Sequence, residues 1–238
     1  MDNVNWIPRP RSNKSAPNYV IDQIRDALLD NKLHPGDRLP PEGELSELFG
    51  LSRGSVRQAM KSLETLGIIT IRPGDGTYVN KEVSENHLNP LVFALLISSP
   101  SKKEITDTRY ALERDILELV MSDEELTASV IPLLEENLEL HRQLLDKKAS
   151  TEKLVKNDQK FHKILSAGCG NTVLKTIYNY VLDAFEYQMI FSTSRQDPND
   201  PNVTLRDHEA ILTALKHRNF SEAKQACKDS VASWTKYM

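Results

Sequence analysis

Several protein classes are excluded by what this chain has little of. There are only two cysteines, Cys169 and Cys227, at no metal-ligand or redox spacing. That rules out a disulfide scaffold and leaves free thiols in a reducing compartment as the expectation. No apolar run approaches the roughly 20 residues a membrane span requires; Leu91–Ile97 is short and lies mid-chain. The opening Met1–Trp6 lacks the basic and then apolar order of a secretory leader, so a cytoplasmic location with no membrane partner is expected. Glycine is scarce, and β-branched runs bounded by turns do not recur beyond Pro90. Internal repeats and low-complexity segments are missing. So is a surplus of positive charge: the formal net charge is −4.

The most informative stretch is 42–79. Glu42–Phe49 has a short helical pattern, with Leu45, Leu48 and Phe49 on one side. Gly50 offers the backbone freedom of a sharp turn, and Ser52 stands where an N-cap belongs. A second helix follows, with Val56, Ala59, Met60, Leu63 and Leu66 directed to a core, and Gly67 closes it. Arg53, Arg57 and Lys61 recur every four residues and form an outward basic stripe. Ile68–Arg72 and Thr77–Val79 flank Pro73-Gly74-Asp75-Gly76, the pattern of a hairpin. Helix, turn, helix and hairpin together make a winged helix-turn-helix, whose second helix enters the major groove. An arginine there can donate two hydrogen bonds to guanine.

Charge agrees once it is resolved along the chain. Residues 1–80 carry ten basic and ten acidic side chains, so the acidic surplus lies in the remainder. Within 52–72, four basic residues stand against Glu64 alone. A local patch of this kind can bind phosphate while the overall charge limits indiscriminate adhesion. Before it, Asn18–Asn31 is expected to be a bracing helix, with Val20, Ile21, Ile24, Ala27 and Leu28 inward. Residues 1–17, rich in proline and basic side chains, are expected to form a flexible arm. Polar 81–89 is the expected linker between an 18–80 DNA-binding domain and a 90–238 domain.

Tyr19–Val79 resembles the N-terminal domain of the GntR family of bacterial transcription regulators. The resemblance is carried by Ile24, Leu33, Pro35-Gly36-Asp37-Arg38-Leu39-Pro40, Glu42, Glu44-Leu45, Ser52-Arg53, Val56-Arg57, Ala59, Leu63, Gly67, Gly74, Gly76 and Val79. It implies DNA contacts from Arg38, Ser52, Arg53, Gly54, Arg57, Lys61 and Gly74. It also implies a homodimer on a palindromic operator resembling TnGTnnnACnA. Gly43 departs from relatives that have a contacting arginine there.

From Pro90 onward the pattern is helical throughout, and an antiparallel bundle is the economical arrangement. The fold class is therefore mainly α: a winged helix-turn-helix followed by an all-α bundle. Expected helices are Leu91–Ser98, Lys103–Met121, Asp123–Lys147 with a break near Pro132, Thr151–Ala167, Thr172–Ser192, Leu205–Arg218 and Ser221–Tyr237. A helical second domain of this kind resembles the FadR-like branch of the family. Its apolar stripes are interrupted. Arg109 shares a face with Ile105, Leu112 and Ile116; Asp158 and His162 share one with Leu154, Phe161 and Leu165; His208 lies among Leu205, Leu212 and Leu215; Ser230 lies with Ala223, Cys227 and Trp234. Buried polar groups contributed by several helices point to a ligand pocket.

The FadR-like effector domain holds a divalent ion through one Asp and three His. The resemblance assigns Asp158, His162 and His208 to that metal set, with zinc or nickel as the ion. Ser230 stands at the third histidine position and is a poor ligand, which leaves three ligands and water, unless Cys227 one turn earlier substitutes. The alternative is that Asp158, His162, His208 and Ser230 bind the effector directly. Arg109, at the start of an Arg-x-x-x-Glu pattern with Glu113, suits a carboxylate or sugar acid, although an intrahelical pair with Glu113 also fits. The expected function is a transcriptional regulator, more often a repressor, modulated by a small organic acid. A metal-dependent enzyme using Asp158, His162 and His208 is the rival reading, disfavoured because no nucleophile or general base stands out and the winged helix would go unexplained.

Overall fold

The computed structural model describes residues 15–81, 90–195 and 202–236. The chain divides into two compact units, Met1–Pro90 and Leu91–Met238. Most of the expected 1–17 arm and 81–89 linker lies outside the described residues.

In the first unit α1 (Ala16–Leu29) begins earlier than expected, with Pro17 in its first turn. Proline is tolerated there because its missing N–H would be unpaired anyway, so Ala16 and Pro17 belong to the helix and not to an arm. Next come β1 (Arg38–Leu39), α2 (Glu42–Phe49), α3 (Arg53–Thr65), β2 (Ile69–Arg72) and β3 (Gly76–Val79). Gly50 ends α2 with φ 62°, in the left-handed region, and the chain turns directly into α3. The Ser52 hydroxyl accepts from the Ser55 amide at 3.2 Å and caps α3. The sheet order is β1-β3-β2, antiparallel throughout, with Thr70 opposite Tyr78 and Ile71 opposite Thr77. β1 has no counterpart in the expected elements.

Val20, Ile24, Leu33, Leu39, Leu45, Phe49, Val56, Met60, Leu63, Ile69 and Val79 form one core. Leu48, expected inward, is exposed.

The second unit is helical: α4 (Pro90–Ile97), α5 (Lys102–Ser122), α6 (Glu124–Asp146), α7 (Thr151–Ala167), α8 (Thr172–Ala184), α9 (Glu186–Thr193), α10 (Val203–Lys216) and α11 (Phe220–Lys236). Caps set the helix starts. Ser101 and Glu104 form a reciprocal capping box on α5, and the Asp123 carboxylate accepts from the Glu125 and Leu126 amides of α6. α6 runs through Pro132 unbroken. Pro132 and Ala128, whose carbonyl loses its helical donor, both lie on the exposed face, where water can replace the missing bond. The expected Thr172–Ser192 helix is divided at Phe185, which is buried with Met189 against Ile105, Val155 and Val181.

α5 packs on α11, α6 on α7, and α10 against both α6 and α11. Their shared core includes Ile116, Leu117, Leu134, Leu138, Phe161, Leu165, Leu182, Ile211 and Leu215. No helix among the described residues is long and apolar enough to cross a membrane.

Candidate functional site

The outer face of α3 carries the basic stripe. Arg53, Gly54, Arg57 and Lys61 are exposed, as is the Ser52 cap. Arg57 Nε donates to Glu42 Oε2 at 3.0 Å, and Lys61 lies 3.6 Å from Glu64. Exposed pairs of this kind contribute about 0–1 kcal/mol, so phosphate or a base edge can displace them. Arg53 has no ion-pair partner among the described residues. A Cβ built on Gly43 would stand 3.7 Å from the Arg53 guanidinium, an ordinary van der Waals contact, so Arg53 does not require glycine there.

The wing tip is organised by Arg38, which reaches across from β1 and donates to the Asp75 carbonyl. A Cβ on Gly76 would come within 2.6 Å of Arg38 Nε, so the crossing depends on glycine there. Arg72 lies over the Tyr78 ring at 4.6 Å, and the Tyr78 hydroxyl donates to Asp75 at 3.0 Å. Gly74, also exposed, forms the tip with φ 77°. The seven residues expected at DNA thus fall on the cap and outer face of α3 and on the wing with its β1 brace.

The second unit contains a charged network in its interior. Arg109 and Glu113 on α5 are both buried and paired one turn apart. Tyr178 on α8 donates to Glu113 Oε1 at 2.6 Å, and Arg109 Nη2 is 2.7 Å from His162 Nε2 on α7. His208 Nε2, on α10, lies 3.2 Å from Asp158 Oδ1 and 3.3 Å from His162 Nε2; Asp158 Oδ1 is 3.8 Å from His162 Nε2. Phe161 stacks flat on His208 at 3.9 Å between centroids, which fixes the imidazole plane. Three ligand atoms therefore converge at separations of 3.2–3.8 Å. Ligands about 2.0–2.1 Å from one tetrahedral ion stand roughly 3.4 Å apart, so the set fits a single metal. Nδ1 of both histidines is buried without a hydrogen-bond partner.

Electrostatics keep these groups in the states a binding centre needs. Burial opposes ionisation of Arg109, but Glu113, then Tyr178 and Asp158, hold its pKa above the ordinary value. Burial likewise opposes charge on Glu113, and Arg109 and His162 outweigh it, so its pKa falls. Asp158 is half-buried, which opposes its charge, yet its contact with His208 and the nearby His162 and Arg109 bring it below the usual carboxylate range. Burial lowers His162 to about 4, with Arg109 and His208 adding to the effect, so its imidazole is neutral at pH 7, the form that ligates metals.

Beside this centre is a cavity of about 30 Å³, lined by Arg109, His141, Asp158, Thr193, Asp207 and Ser230 among others. It has room for a few waters or a small anion. Arg109, Asp158, His162, His208 and Ser230 are thus brought to one place. Cys227 is not at the metal set: its thiol, raised by burial, faces Glu113 at 3.8 Å. The sequence reading missed His141, which is buried on α6. Its signal was present, since it interrupts the Leu134, Leu138 stripe at helical spacing as Arg109 does on α5.

A winged helix joined to an all-helical domain with a polar centre defines a class of DNA-binding regulators with a sensor domain. The comparisons specify it. Residues 18–79 match the family described as "Bacterial regulatory proteins, gntR family", and 104–233 match the FCD domain, so the chain belongs to the GntR family of regulators that carry an FCD domain. It is 27% identical over 212 residues to the HTH-type transcriptional regulator YcbG of Bacillus subtilis, covering 87% of this chain and 82% of that one. It is 25% identical over 232 residues to the HTH-type transcriptional repressor NanR of Escherichia coli K12, covering 96% and 86%. Among solved structures, a Streptococcus agalactiae GntR protein shares the fold with a TM-score of 0.67 at 24% identity, over 93% of this chain and all of that one. The chain is a DNA-binding transcription regulator and not an enzyme.

Proposed function

We propose that this protein is a homodimeric repressor of a metabolic operon, released from a palindromic operator by a small organic acid. The carrying observation is Arg109, buried and charged at the edge of a cavity. A guanidinium in such surroundings clamps a carboxylate with two hydrogen bonds. NanR-like relatives described as repressors support the sign of regulation. The half-sites of a palindromic operator resembling TnGTnnnACnA are read by Arg53 and Arg57 at base edges and phosphate, with Ser52, Gly54, Lys61, Arg38 and Gly74 holding the backbone.

The metal belongs to the same reading. Asp158, His162 and His208 would hold zinc or nickel, with Ser230 too weak a ligand to complete the set. A bound ion would supply fixed positive charge beneath the effector. Arg109 Nη2 stands 2.7 Å from His162 Nε2, the atom that would also ligate an ion. Metal and this Arg109 contact would compete for one lone pair, so an ion at His162 would turn Arg109 Nη2 away from the imidazole.

Anisotropy of the full-length protein on duplex from upstream of its own coding sequence tests the proposal, with a scrambled duplex, a salt series, and added zinc and carboxylates. Selective binding that one acid weakens is the expected result. Equal, steeply salt-dependent binding to both duplexes would overturn it, since that is phosphate contact alone.

A further inference from the structure

The tautomer of His141 is set by two asparagines. Asn137 on α6 donates through Nδ2 to the Asn157 backbone carbonyl at 3.1 Å, and Asn157 on α7 donates through Nδ2 to the Asn137 carbonyl at 3.3 Å. A backbone carbonyl only accepts, so neither amide can be turned over without placing an oxygen against an oxygen. Asn157 Nδ2 is also 3.1 Å from His141 Nδ1. With a donor fixed opposite it, Nδ1 must accept, and the ring proton is confined to Nε2. His141 lines the cavity with Arg109, Asp158 and Ser230, and Nε2 is its ring nitrogen that Asn157 does not engage.

We propose that His141 is an effector-specificity residue: its Nε2–H reads an acceptor oxygen on an acid whose carboxylate is held by Arg109. The ligand class is therefore a small 2-hydroxy acid in preference to a plain alkanoate of the same length. This rests on the reading above that the cavity receives the acid. The same tautomer argues against His141 as the missing metal ligand in place of Ser230, because a protonated Nε2 has no lone pair to give. Burial beside His208 lowers its pKa to about 4, so the ring adds a directed donor at neutral pH without adding a second positive charge. A site that hydrogen-bonds a ligand oxygen rejects the analogue lacking it far better than an apolar wall does.

Acetate and glycolate, which differ by one hydroxyl and suit a small cavity, are the probes. Long-range proton–nitrogen spectra of the full-length protein at pH 7, with each acid and separately with zinc chloride, report on each imidazole. The His141 signals are identified by their loss in His141→Gln. Protonated Nε2 and unprotonated Nδ1 are expected, with glycolate binding about three- to tenfold tighter than acetate, the range one neutral hydrogen bond supplies. His141→Phe should abolish that preference. His141→Gln, which keeps a neutral N–H donor, should retain part of it and guards against a packing defect in the phenylalanine variant. Zinc should shift His162 and His208 but not His141.

Protonation at Nδ1, a glycolate preference that survives His141→Phe, or zinc ligation by His141 would each overturn the proposal. If both acids bind with equal affinity and neither perturbs His141, this inference fails alone. If neither acid binds, the effector reading of the cavity fails with it.

Discussion

The two units place their polar chemistry on opposite sides of their surfaces. Among the described residues the winged helix buries one polar side chain, Gln23, and its arginines and Lys61 face outward. The helical unit buries Arg109, Glu113, Asn137, His141, Asn157, His162 and His208 in its interior. A surface charge is solvated, exchangeable and cheap, which suits contact with a phosphate chain in water. A buried charge must be neutralised by designed neighbours, and the resulting site is shaped for one small ligand. One unit is built to be touched, the other to be entered.

The comparison can be broken most forcefully at Glu113. Glu113→Ala leaves Arg109 buried without its counter-ion, and about 3–5 kcal/mol should be lost from the helical unit. Calorimetry should show that unit's transition moving sharply down while the winged-helix transition stays in place. A loss below about 1 kcal/mol would mean the network is hydrated and loosely held.

Acid provides the next largest separation. His141 is lowered to about 4 in the folded chain, against an ordinary value near 6.5. Between those values the unfolded chain binds a proton that the folded one refuses. The share of stability due to His141 is therefore full above pH 6.5 and is lost, about 3 kcal/mol of it, as pH drops toward 4. His162 adds to the fall in the same window, and Asp158 and Glu113, held below their ordinary values, extend it below pH 4. The winged helix buries no imidazole or carboxylate among its described residues, so its transition should be nearly flat across that window. Parallel decline of both transitions in a pH series of melts would contradict the contrast.

Smaller effects fall on the exposed side. Arg57→Ala should cost about 1–3 kcal/mol of operator binding, measured by anisotropy, with thermal stability unchanged because Glu42 gains little from the pair. Equal binding by variant and wild type would remove Arg57 from the interface. Ser52→Ala should cost about 1 kcal/mol of winged-helix stability through loss of the cap, read from the same melts, and leave the helical unit unaffected.

Much of this was legible in the sequence because it rests on local periodicity. The α3 stripe, its cap, the wing and the polar interruptions at Arg109, Asp158, His162 and His208 all follow from spacing. β1 was not legible: two residues carry no period, and they form a strand only because β3 offers a free edge opposite Arg38 and Leu39. Pro132 read as a break because the sequence does not say which face meets water. Phe185 was hidden inside a continuous apolar pattern, and only packing against Ile105 and Val155 stops the helix there. His141 gave the same signal as Arg109 and was overlooked, while its role depends on Asn157, a residue that periodicity leaves unmarked.

The reciprocal Asn137–Asn157 pair has a mechanical consequence. Each side chain grips the other helix's backbone, so sliding α6 along α7 by one turn would strand two amides and two carbonyls in a dry interior. The two helices are pinned as a single plank. If an acid enters the cavity as proposed, this plank would be the stator, and the adjustment would fall to α5, α9, α10 and α11, which supply the remaining walls.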